Sequence, residues 1–139
     1  MSEPTFLVAD DHPLFRAALV QVLREHFAHY RIVEAASAQT VGSAMQEHPE
    51  IELVLLDLAM PGARGFSSLL HLRGEYPEIP VVVISSNEHP RVIRRGQQFG
   101  AAGFIPKSAP AEEMAGAIET VLEGGSWFPP MAAARSEAD

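Results

Sequence analysis

Five short apolar runs alternate with five stretches of helical periodicity along this chain. Thr5–Ala9 (TFLVA) runs into Asp10–Asp11, and from Pro13 the residues Leu14, Ala18, Leu19, Val22 and Leu23 recur at helical spacing. Pro13 suits a first helical turn, where its missing N–H leaves no bond unmade. Arg31–Ala36 (RIVEAA) reads as a second strand, followed by a helix that Ser37 can cap, with Val41, Ala44 and Met45 inward and Pro49 just beyond. Leu53–Leu56 (LVLL) and Val81–Ile84 (VVVI) are unbroken aliphatic runs, as in strands buried on both faces. The first runs straight into Asp57, and LAMPGARG then supplies turn residues before a helix with Phe66, Leu69 and Leu70 inward. The second is followed by Ser85, Ser86 and Asn87, then by a helix carrying Val92, Ile93 and Phe99 that Gly100 stops. Gly103–Ile105 makes a short fifth strand ahead of Pro106–Lys107. The last helix has Met114, Ile118, Val121 and Leu122 on one stripe and ends at Gly124–Gly125.

Strands alternating with helices imply right-handed βα units and a parallel sheet covered on both faces. The expected fold is α/β, a doubly wound five-stranded parallel sheet of order 2-1-3-4-5 flanked by five helices. Residues 1–128 form one domain in this reading, and 129–139, ending in MAAARSEAD, form a tail or the start of a linker. In such a sheet ligands bind beyond the carboxyl ends of the strands, where the strand order reverses. Asp10 and Asp11 follow the first strand, Asp57 the third, Ser85 the fourth and Lys107 the fifth. Five polar residues thus fall at the ends that build a site.

Composition narrows the class. With 47% hydrophobic and 20% charged residues in 139, the chain matches an ordinary globular domain. It has no cysteine, which excludes disulfides, thiolate catalysis and cysteine metal sites and agrees with a reducing cytoplasm. MSEPTFLVADD lacks a basic start with a long apolar stretch, and no apolar run approaches the ~18 residues of a membrane span. The expectation is a cytoplasmic chain without a membrane partner. A formal charge of −8, from 18 acids against 10 bases, disfavours direct contact with nucleic acid. Nine of those bases are arginine, so Lys107, at the predicted site, is the only lysine. Arg91, Arg94 and Arg95 make the fourth helix basic, while Glu112, Glu113 and Glu119 make the fifth acidic. These are solvated faces, or complementary halves of a dimer contact.

Three carboxylates converging in one crevice repel one another, so either their protons return or a cation is bound between them. Carboxylates with carbonyl and water suit Mg²⁺, which prefers oxygen ligands. Such an ion can clamp a phosphoryl group while one aspartate attacks it to give an acyl phosphate. Asp57, at the centre of the sheet, is the best nucleophile. Ser85 offers a hydroxyl to a phosphoryl oxygen, and Lys107 supplies charge to balance the incoming group. Taken singly, each residue has an ordinary alternative: Asp11 or Asp57 as a cap, Lys107 as a surface lysine, Phe104 as packing. His12 beside Asp11 could be a ligand or base, although the other histidines, at 26, 29, 48, 71 and 89, show no ligand spacing.

The segments FLVADDHPLFR, LVLLDLAMPG, VVVISS and GAAGFIPKS resemble the receiver domains of two-component response regulators, over about residues 4–128. The resemblance implies a flavodoxin-like receiver fold that acts as a switch, not as an enzyme on an external substrate. Asp57 would be phosphorylated by a sensor histidine kinase, Asp11 and Asp57 would bind Mg²⁺ directly, Asp10 would act largely through water, and the Ala59 carbonyl would complete the ligands. Ser85 and Phe104 would be the switch pair. DDHPLFR, PKSAPAEEM and VLEGGSWFPP look most like the LuxR/NarL subgroup, implying a phosphorylation-dependent homodimer and DNA contact only through a helix-turn-helix output domain outside this chain. Two positions depart from the family pattern, Ala59 where a polar residue is usual and Phe104 in place of the commoner Tyr, while Ser85 for Thr is chemically conservative.

Other classes fit less well. Haloacid-dehalogenase-type phosphatases need a second acid two residues after the nucleophile, where this chain has Ala59. Nucleotide-binding folds carry G-x-G-x-x-G or G-x-x-x-x-G-K-[ST], and neither occurs here. A pseudo-receiver or stand-alone interaction module that works without phosphorylation is the runner-up.

Overall fold

A computed structural model describes residues 3–62 and 65–130. The elements are β1 (Thr5–Ala9), α1 (Pro13–His26), β2 (Arg31–Ala35), α2 (Ala38–Glu47), β3 (Ile51–Asp57), α3 (Ser67–Glu75), β4 (Val81–Ser85), α4 (Pro90–Gln98), β5 (Gly103–Pro106) and α5 (Ala111–Leu122). The strands form one parallel sheet in the expected order β2-β1-β3-β4-β5.

Period-two alternation divides the apolar residues between two layers. Phe6, Val8, Leu53, Leu55, Val82, Ile84 and Ile105 face the layer built with α1 and α5. Leu7, Ala9, Val54, Leu56, Val81, Val83 and Phe104 face the layer built with α2, α3 and α4. Because both faces are covered, the central strands read as continuous aliphatic runs in the sequence. β3 is longer than its LVLL core and takes in Asp57 itself, whereas β2 stops one residue short of Ala36.

Local chemistry sets the helix ends. Pro13 opens α1. Ser37 and Thr40 form a reciprocal capping box on α2. Gly100 and Gly124, each at φ 95, turn the chain out of α4 and α5 through the left-handed region. Asp11 does not cap α1; the N-cap is His12, without a side-chain cap bond.

Three residues expected on inward stripes, Leu14, Ala18 and Leu70, lie outside. Leu14 is 89% exposed and Leu70 49%. Leu14 stands in the first turn of α1, before the helix lies over the sheet, and the buried stripe begins at Leu19. In α3 the inward pair is Leu69 and Leu72; Leu70 is ~100° round the helix from Leu69. The turn residues Ala63 and Arg64 and the segment 131–139 lie outside the described residues.

The free edge of β5 is covered by the chain after α5. The Trp127 amide donates to the Ala102 carbonyl at 3.1 Å, and the Phe104 amide to the Trp127 carbonyl at 3.0 Å. A Cβ on Gly103 would stand 3.0 Å from that Trp127 oxygen, so the approach needs glycine. Among the described residues no helix is long and apolar enough to cross a membrane.

Candidate functional site

Sheet register assembles the site. Ala9 pairs with Leu56 and Asp57 with Ile84, so Asp10 and Ser85 lie on the strands either side of Asp57. Ser85 pairs with Pro106, and the Lys107 amide donates to the Ser85 carbonyl at 2.9 Å. Asp10, Asp11, Asp57, Ser85 and Lys107 therefore all stand at the carboxyl end of the sheet, Asp57 and Ser85 as the last residues of β3 and β4 and the others just past β1 and β5.

Asp10 and Asp57 are each only 2% exposed. Asp57 Oδ1 accepts from the Ala59 amide at 3.1 Å, and its Oδ2 lies 3.2 Å from Lys107 Nζ. Asp10 Oδ1 accepts from the His12 amide at 2.7 Å. Asp10 Oδ2 is ion-paired with Lys107 Nζ at 2.9 Å and has no further hydrogen-bond donor. Asp11, half-buried, likewise directs a buried Oδ1 at no donor. Lys107 is thus shared between two buried carboxylates, and its ammonium also sits 4.8 Å above the Phe15 ring.

His12 belongs to this cluster, although its sequence context argued little for it. Its Nδ1 is 2.8 Å from Lys107 Nζ and within 3.4 Å of Asp10, Asp11 and Asp57. His12 Nδ1 thus faces the Lys107 ammonium, a donor, and the Asp10 carboxylate, an acceptor, at once. Arg16 was missed as well. Its Nη1 donates to the Asp10 carbonyl at 2.7 Å and its Nε to Glu34 on β2 at 2.8 Å, bracing the turn that presents the acid pair. The available signal was its place one helical turn after His12 in DDHPLFR.

Ser85 is buried and its Oγ accepts from the Asn87 amide at 3.0 Å. Phe104 is fully buried, its ring against the face of Gly96 on α4. Ala59 is exposed.

Three carboxylates crowd round one ammonium and one imidazole, a convergence of acids that a bound cation would relieve. The buried Asp11 Oδ1, without a hydrogen-bond donor, points to the same need. One ligand atom from each of Asp10, Asp11, His12 and Asp57 lies within 4.8 Å of the others, a spacing that one small cation can span. The residues present fit a divalent ion.

A parallel sheet of this order, with buried acids from its first and third strands and a lysine from its fifth, defines a receiver. The chain belongs to the response regulator receiver domain family, whose sequence model matches residues 6–119. It is 42% identical over 124 residues to the glycerol metabolism activator of Pseudomonas putida, covering 89% of this chain and 56% of that protein. It is 34% identical over 122 residues to the transcriptional regulatory protein MctR of Rhizobium johnstonii, covering 88% of this chain and 56% of the relative. The chain thus spans little more than half the length of these relatives. A LuxR family two-component response regulator from Aurantimonas superposes with TM-score 0.86 at 26% identity, over 99% of this chain and 100% of that one. A LuxR family DNA-binding response regulator from Silicibacter pomeroyi superposes with TM-score 0.79 at 28% identity, over 93% and 98%.

Proposed function

We propose that residues 1–128 are the phosphoacceptor half of a two-component transcription regulator, with 129–139 leading into an output domain of LuxR/NarL helix-turn-helix type. A cytoplasmic sensor histidine kinase donates the phosphoryl group. The phosphorus–nitrogen bond of the kinase phosphohistidine breaks as a phosphorus–oxygen bond forms to Asp57. The observation that carries this reading is Asp57 itself: a carboxylate 2% exposed at the centre of the sheet end, with Lys107 3.2 Å from its Oδ2.

The Ala59 amide on Oδ1 fixes the carboxylate plane and leaves Oδ2 on the lysine side, free to attack. Lys107 moves from pairing acids to pairing phosphoryl oxygens, so charge is already in place when the group arrives. When bound, Mg²⁺ would supply positive charge to balance the carboxylates and the incoming group. Asp11, Asp57 and the Ala59 carbonyl would hold it, with Asp10 acting largely through water. Ser85 exchanges its bond from the Asn87 amide for one to a phosphoryl oxygen, drawing the β4–α4 turn inward and repacking α4 against Phe104. Phosphorylation thereby favours a minor conformer that homodimerises and frees the output domain. The chain catalyses a reaction on itself and turns over no external substrate.

The test is intact mass after incubation with acetyl phosphate. A single Mg²⁺-dependent phosphoryl adduct is expected, absent in Asp57→Asn. No adduct on folded protein, with acyl-phosphate lability controlled, sinks the phosphoacceptor reading in favour of a phosphorylation-independent interaction module.

A further inference from the structure

We propose that Ser126–Pro130 is a transmission strap: when Phe104 repacks, the strap loosens from β5 and swings the chain that follows Pro130. This rests on the Phe104 repacking of the proposed function and adds the route by which that change leaves the sheet.

The strap is tied to the backbone of Phe104 itself. It runs parallel to β5, bridging at Gly103, and among the described residues its clasp is two backbone hydrogen bonds. One is donated by the Trp127 amide to Ala102, and the other by the Phe104 amide to the Trp127 carbonyl. Its side chains divide between the two layers. Trp127 packs against the α1 and α5 cluster, and Phe128 against the cluster that contains Phe104. Adjacent residues on one short segment therefore join the two faces of the sheet at its edge.

Close packing decides which neighbour of Phe104 gives way. Its ring is fully buried, and a Cβ on Gly96 of α4 would stand 3.4 Å from ring carbon Cδ2. An inward shift of α4 leaves the ring no void to enter, so the strain passes to whatever is held least firmly. Leu56 and Val83 share that layer, fully buried on β3 and β4, which are paired on both sides. Phe128 is half-buried, on a segment with only the two clasp bonds. Pro129 and Pro130 have no amide hydrogen, so the pairing with β5 cannot be extended beyond it. Their fixed φ makes a stiff lever, and Gly124–Gly125, just after α5, make a pliant joint on the other side.

The experiment follows amide hydrogen exchange and the emission of Trp127, the only tryptophan, in the full chain. The Trp127 and Phe104 amides donate the two clasp bonds, so their exchange reports opening of the strap. The first arm needs no phosphate. Phe104→Leu should speed Trp127 amide exchange at least about fivefold, the small end of site-to-site couplings, and red-shift the emission. Amides of β3 should exchange as in wild type. In the second arm wild type is treated with acetyl phosphate and MgCl₂, with the adduct followed by intact mass. Both clasp amides should speed up as the adduct forms. Phe128→Ala should take up the adduct equally, with clasp exchange that no longer responds to it. A strap that merely stiffens the β5 edge would exchange faster in Phe128→Ala and still respond to phosphate, and that result overturns the proposal. So does a wild-type adduct that leaves the Trp127 amide unchanged. If no adduct forms on folded protein, the proposed function fails, and the Phe104→Leu arm alone decides the strap: an unchanged Trp127 amide there sinks it. Phe128 lies at the sheet edge, so its replacement should leave the fold intact; circular dichroism checks this.

Discussion

Lys107 shows how much of the site rests on one side chain. Its ammonium is the cation shared by Asp10 and Asp57, two carboxylates buried almost completely. Removing one partner of such a cluster leaves charge buried without compensation, which costs about 3–5 kcal/mol for fully buried pairs. The Lys107 side chain keeps 13% of its surface in solvent, so Lys107→Met should cost less, about 2–3 kcal/mol in chemical denaturation without divalent ions. Adding Mg²⁺ should narrow the deficit, because the ion takes over part of the lysine's work. A deficit that does not respond to Mg²⁺ would count against a cation site among these acids. Position 107 was conspicuous in the sequence because no other lysine exists. His12 and Arg16 were not, since their contacts depend on how the β1–α1 turn folds back over Asp10.

The ends of α4 and α5 test the account of the elements. Gly100 sits at φ 95, where a Cβ strains the backbone and would meet Arg73 Nε at 3.1 Å. Gly100→Ala should destabilise by about 1–2 kcal/mol. Gly116, in the middle of α5 and exposed, has nothing within 4 Å of an added Cβ. Gly116→Ala should instead stabilise by about 0.5–1 kcal/mol through the lower entropy of the unfolded chain. Equal effects of the two substitutions, measured by urea midpoint, would contradict this reading of the helix ends. Both glycines were visible in the sequence, but only Gly100 stands just past a helical stripe. Leu14 and Leu70 are the opposite case: their apolarity suggested core, and helix placement put them in solvent.

For the whole molecule, binding and folding are linked. A ligand that binds only the folded chain adds about 2.7 kcal/mol at a hundredfold excess over its Kd. Saturating Mg²⁺ should therefore raise the thermal midpoint of wild type, and Asp11→Asn, which removes a ligand oxygen and a charge, should lose most of that rise. An equal rise in both proteins would place the stabilising ion elsewhere.

The sequence by itself determined the class of fold. Strands buried on both faces need unbroken aliphatic runs, helices need a 3.6-residue stripe, and glycine and proline mark the breaks. It also placed five polar residues at strand ends, because a strand's last residue is set by where its apolar run stops. Only the tertiary structure decided what those residues do to one another. Lys107 meets Asp57 from 50 positions away through the β4–β5 register, and His12 turns its nitrogen toward three carboxylates through the geometry of a single turn. Periodicity records which face of its own element a residue occupies. Contacts between elements depend on register and loop path, which no local pattern carries.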